Sequence, residues 1–154
     1  MACPHIPWQI IIILLSIALI LCSSLFWYYL YLSCVSDPIS IAGIILYVIS
    51  GTCLVIFGII GILVALRKSE RGLLFFGGAM GIMFGFQMIQ IIIATVALAN
   101  CDRESILSSI CDTNQWLYYI HVFLVLIICL LLCIFSFILR KILVSAHEDE
   151  DNYY

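Results

Sequence analysis

Four runs of this 154-residue chain, 8–32, 39–66, 72–99 and 117–139, contain no Asp, Glu, Lys or Arg at all. A helix needs about 20 apolar residues to cross the hydrocarbon of a bilayer, and each run exceeds that length. Inside lipid every backbone N–H and C=O must be paired within the structure, which leaves helices and closed barrels. A barrel would show short segments alternating in hydrophobicity, whereas these runs are continuous and rich in Leu and Ile. With 66% hydrophobic and 10% charged residues the chain also lies far from soluble domains, in which about a quarter of residues are charged. The expected fold is an all-α membrane protein, a four-transmembrane-helix bundle over 1–139, followed by a disordered acidic tail at 140–154.

The basic residues set an expected orientation. Arg67, Lys68 and Arg71 fall between the second and third spans, Arg140 and Lys141 follow the fourth, and Arg103 alone lies on the other side. The positive-inside rule then puts both termini and the RKSER segment in the cytoplasm. The first run lacks a basic n-region and is longer than a cleavable signal, so it reads as a retained signal anchor. The aromatic cluster Phe26, Trp27, Tyr28, Tyr29 and Tyr31 is expected at the outer headgroup level, and Asp37-Pro38 in a tight outer turn.

Small residues suggest where helices touch. Gly51, Gly58 and Ala65 recur every seven positions in the second span, and Gly77, Gly81 and Gly85 every four in the third. Both spacings align a stripe on which another backbone can approach closely. All nine glycines lie in or beside these two spans, so spans two and three are expected to form the tight hairpin. Gln87 and Gln90 are the polar groups deepest in hydrocarbon and are expected to face the interior, hydrogen bonding between helices. His121, near the outer end of the fourth span, is expected to reach interfacial water, with no second metal ligand nearby.

The cysteines divide by compartment. Cys101 and Cys111 bracket the outer SILSSI segment and are candidates for a disulfide, with Cys34 as an odd thiol or an alternative partner. Cys3 and Cys133 are palmitoylation candidates, Cys3 being the juxtamembrane one. Cys129 and Cys133 are spaced CxxxC in hydrocarbon, without the electropositive setting of a reactive thiolate, and read as packing or lipid-facing residues. The tail carries HEDED and ends in Tyr153 and Tyr154, a solvated charge run that is open to modification or to reading as a peptide.

GIIG at 58–61 followed by Ala65, the short polar RKSE, then Leu73, Phe76, Phe84 and Gln87 resembles the tetraspanin pattern of GxxGxxGA, a short inner loop and a third helix closing on FxxE. Gly58, Gly61 and Ala65 match. Val64 stands where that family usually has glycine and Gln87 where it usually has glutamate. The resemblance covers about a third of the chain and implies the same four-span topology with both ends inside, and lateral association with membrane proteins. Departures are the absence of the large external domain with its CCG motif and of the first-helix asparagine. Val48-Ile49-Ser50-Gly51 and the topology are also similar to the CD20-like four-span family.

Three function classes follow from these expectations. The first is a non-enzymatic membrane organiser or adaptor, associating laterally with itself or with partner membrane proteins, without cofactor, metal or nucleic acid. The second is an oligomeric channel or transporter subunit lined by Gln87, Gln90 and Thr95, against which stands the lack of intramembrane charge. The third, a four-helix membrane enzyme, would require a CxxC pair or buried Arg and Glu that the spans do not contain.

Overall fold

The computed structural model describes residues 6–35, 41–100 and 115–151, and all regular structure among them is helical. Helices α1 (Ile6–Val35), α2 (Ile41–Arg67), α3 (Glu70–Asn100) and α4 (Gln115–Asp151) are each long and apolar enough to span a membrane. Cys3, the turn at Asp37-Pro38, Cys101, Cys111, Tyr153 and Tyr154 lie outside the described residues, and so do the two expectations of an outer disulfide and of a lipidated Cys3. Among the described residues the cysteines are free.

The buried positions repeat every seven residues in all four helices. They include Ile12, Leu19, Phe26 and Ser33 on α1, Tyr47, Leu54 and Gly61 on α2, Leu73, Met80, Gln87 and Ala94 on α3, and Tyr118, Val125, Leu132 and Leu139 on α4. A 3.5-residue period keeps one seam facing its neighbours only if the helices cross at a shallow left-handed angle, about +20°. Lipid chains are as apolar as leucine, so what holds such a bundle is van der Waals contact and interhelical hydrogen bonds rather than the hydrophobic effect.

The closest helix pairs are α1 with α2 and α3 with α4; α1 with α4 joins the two pairs, and α2 with α3 is the weakest of the four contacts. This corrects the expectation of a tight hairpin between spans two and three. The glycines of those two helices face different neighbours. A Cβ placed on Gly58 would stand 3.0 Å from the Ser16 carbonyl oxygen and closer still to Ile20, and one on Gly51 would meet the Trp27 and Phe26 side chains, all on α1. A Cβ on Gly77 would instead meet Phe137 and Ser136 on α4, at 3.3–3.4 Å. Gly61 faces both neighbours, its Cβ falling closest to Ser16 Oγ on α1 and 2.7 Å from Phe76 Cζ on α3, and a Cβ on Gly72 of α3 would meet Val64 of α2 at 3.2 Å.

The RKSER segment is shorter as a loop than its polarity suggests. Lys68 takes the left-handed backbone conformation (φ 51°) that ends α2, and Ser69 caps α3, its Oγ accepting the Gly72 N–H at 3.2 Å. Arg67 in the last turn of α2 and Glu70 in the first turn of α3 both suit the helix dipoles, which is why the charged residues 67, 70 and 71 are absorbed into helix. At the same end of the bundle the Gln9 Nε2 donates to the Ala65 carbonyl at 3.2 Å, and Trp8 packs on Phe135. This is termed the proximal end; the distal end carries Val35, Ile41, Asn100 and Gln115.

The fourth helix also departs from expectation. It continues through the charged segment to Asp151 instead of giving way to an unstructured tail after Leu139. RKILVSAHEDED contains neither Gly nor Pro, and Leu143 still packs against the core, so nothing in the segment stops the helix.

Candidate functional site

Two places stand out, one on the surface of α3 and one inside the distal half. On α3 the expected glycine seam splits. Gly77 is buried against α4, but Gly81 is exposed, its nearest contact being a Cβ distance of 3.8 Å to Cys133 Sγ, and Gly85 is exposed with nothing near it. Gly78 is likewise open. A spacing of four drifts by about 40° per step around a helix with 3.6 residues per turn, and against α4 this carries Gly81 to the margin of the contact and Gly85 out of it.

The outward residues of α3 have their own period. Phe75, Ile82, Ile89 and Val96 recur every seven, and Gly78 and Gly85 sit between them at the complementary position, followed by Ile92. Large and small side chains therefore alternate along a seam against which no described residue of the chain packs. That is the arrangement of knobs and holes on one face of a paired helix. On α2, by contrast, Gly51, Gly58, Gly61 and Ala65 all lie on the buried face and are used within the bundle. Cys133 is partly buried beside Gly81, which places its sulfur at the α3–α4 contact.

The distal interior is polar and aromatic. Tyr29, Tyr47 and Tyr118 come from three helices, are all fully buried, and pack as a triangle with ring centroids 5.3, 6.1 and 6.3 Å apart. His121 lies against this group, 4.6 Å from the Phe26 ring and 5.9 Å from Tyr29. Its Nε2 donates to the Cys22 carbonyl oxygen at 2.8 Å, which in a neutral ring leaves Nδ1 as an acceptor. The expectation that His121 reaches interfacial water is thus corrected: its side chain is 2% exposed and is held in the core by α1. The expected aromatic belt divides too, with Trp27, Tyr28 and Tyr31 outward and Phe26 and Tyr29 inward, because successive residues of a helix point 100° apart.

Gln90 borders this region from α3 through Ser50, one turn from Tyr47 on α2, and Gln87 is buried one turn further toward the proximal end. Gln90 Nε2 donates to Ser50 Oγ on α2, whose own hydroxyl donates to the Leu46 carbonyl at 2.7 Å, so a relay bridges α3 to α2, the sparsest of the helix contacts. The hydroxyls of Tyr29, Tyr47 and Tyr118, both polar atoms of Gln87, Gln90 Oε1 and His121 Nδ1 are buried without a hydrogen-bond partner among the described residues. Each such atom costs roughly 1–3 kcal/mol when left unpaired. Thr95, grouped with the glutamines as a conduit lining, is exposed and bonds its own backbone at Ile91. Among the described residues no group of three His, Cys, Asp or Glu is placed to hold a metal.

Tyr47 and Tyr118 were not legible as site residues in the sequence. The available signal was their position one heptad from Leu54 and from Val125, on the seam side of α2 and α4.

The chain is 29% identical over 129 residues, 84% of its own length and 93% of the other's, to an uncharacterized transmembrane protein of Dictyostelium discoideum. No family model and no solved structure matches it. Four apolar helices and this similarity to a transmembrane protein together make it an integral, multi-pass membrane protein.

Proposed function

We propose that the protein is a non-enzymatic membrane organiser that associates laterally, with a second copy of itself or with another membrane protein, through the outward face of α3. The observation that carries this reading is the second heptad on that helix, in which Gly78 and Gly85 alternate with Phe75, Ile82 and Ile89 where the chain supplies no neighbour. Glycine inside a helix is about 1 kcal/mol less favourable than alanine, so glycines facing lipid bring no benefit to the fold itself. An approaching helix gives them one, because close backbone contact is what holds helices together in lipid.

A conduit formed by oligomers has less support. Gln87 and Gln90 point into the core of the single bundle, away from the surface on which subunits would meet. The four-span arrangement with both termini in the cytoplasm belongs to the same proposal and rests on the basic residues beside spans two, three and four.

The test is the double variant Gly78→Leu, Gly85→Leu, with Ile59→Leu on the exposed side of α2 as control. Crosslinking in native membranes is expected to lose the higher species in the double variant alone, while thermal stability in detergent stays at or above the wild-type value. Recovery of the same crosslinked species from all three proteins would overturn the assignment.

A further inference from the structure

We propose that the distal half of the bundle is a binding site for ordered water, which bridges the hydroxyls of Tyr29, Tyr47 and Tyr118 to His121 Nδ1 and Gln90 Oε1. The inventory of unpaired atoms defines the occupant. His121 Nδ1 and Gln90 Oε1 can only accept, Gln87 Nε2 can only donate, and the three phenols can do either. A molecule serving all of them must both donate and accept. The ring centroids stand 4.6–6.3 Å from their neighbours, which is direct contact between rings, so there is no room for a larger solute and an occupant can sit only at the polar edges of the cluster. A bare cation fits poorly, since none of the four spans holds a carboxylate to balance it. Water matches: buried waters make about three hydrogen bonds each to otherwise unpaired polar groups.

The site is a dead end. Beyond Gln87 toward the proximal end the core is closed by Met83, Met80, Leu54 and Leu132, all buried. Hydration therefore reaches part of the way into the bundle and does not cross it. This inference is independent of lateral association through α3, which involves the opposite, outward side of that helix.

Hydroxyl-radical footprinting of the full-length protein in nanodiscs of saturated lipid tests it, because radicals formed from bound water mark the side chains beside it. Phe76, equally buried in the proximal half, is the internal standard. Tyr29, Tyr47, Tyr118 and His121 are expected to label at least tenfold faster than Phe76. Labelling no faster than Phe76 would show a dry interior and overturn the proposal. Labelling that appears only after exhaustive dialysis would mean that a solute and not water occupies the site, which also overturns it. Tyr118→Phe gives a second readout. If water bonds the hydroxyl, its removal should shift the unfolding equilibrium several-fold toward the unfolded state; an unchanged or more stable variant would mean that the hydroxyl was dry.

Discussion

Gly58→Ala and Gly85→Ala add the same methyl group to helices of the same chain, and their difference isolates one contact. Both gain about 1 kcal/mol from the better helix propensity of alanine. At Gly85 nothing lies within 4 Å of the new atom, so that gain stands alone. At Gly58 the Cβ would be 3.0 Å from the Ser16 carbonyl oxygen and nearer still to Ile20 Cγ1. The isoleucine can turn aside, but the carbonyl is backbone and moves only if α1 moves. Overpacking of this kind costs typically 1–3 kcal/mol. Propensity cancels in the comparison, so Gly58→Ala should be less stable than Gly85→Ala by about 1–3 kcal/mol, roughly 5- to 150-fold in the unfolding equilibrium constant. Reversible unfolding in mixed micelles or by steric trapping measures it. Equal stability of the two variants would refute the claim that α1 and α2 meet at backbone distance.

Ser50→Ala removes the partner of Gln90 across the sparse α2–α3 contact and should lower stability by about 0.6 kcal/mol, with an upper bound of about 1.7 kcal/mol. Ser24→Ala, whose exposed hydroxyl bonds only its own helix at Leu21, should be neutral in the same unfolding assay, and a larger loss at Ser24 would contradict the relay. Epitope tags at the two termini should both be protected from external protease in intact cells. Cleavage of a C-terminal tag would reverse the orientation drawn from Arg67, Lys68, Arg71, Arg140 and Lys141.

The spans were legible because each is a long uncharged run, and nothing local competes with that signal. Which face of each helix is buried was harder to read. In a soluble helix the polar residues mark the outside, but in lipid Leu and Ile are equally suited to both sides, so composition is silent about orientation. Glycine carried the information on α2, where the spacing of seven at Gly51, Gly58 and Ala65 follows the seam. It misled on α3, where the spacing of four at Gly77, Gly81 and Gly85 joins residues from two faces. Serines would have been a better guide on α1, since Ser16 and Ser23 are seven apart and both buried. His121 and the three tyrosines were misplaced for a related reason: amphipathic side chains near a helix end can turn to either the headgroups or the core, and only the neighbouring helices decide.

The pairing of α1 with α2 and of α3 with α4 bears on how such a chain can be made. Each intimate contact lies between helices adjacent in sequence, separated by a connection of five or fourteen residues that lies outside the described segments. The first pair can therefore close while the second is still being synthesised, and the second can close without waiting for the first. The junction between them, at Lys68 and Ser69, is the shortest link between the described helices, yet it joins the sequence neighbours with the least contact. Assembly then reduces to bringing two preformed hairpins together along α1 and α4, with loop closure already accomplished inside each. A polypeptide interrupted at Lys68 would still encode both halves in full.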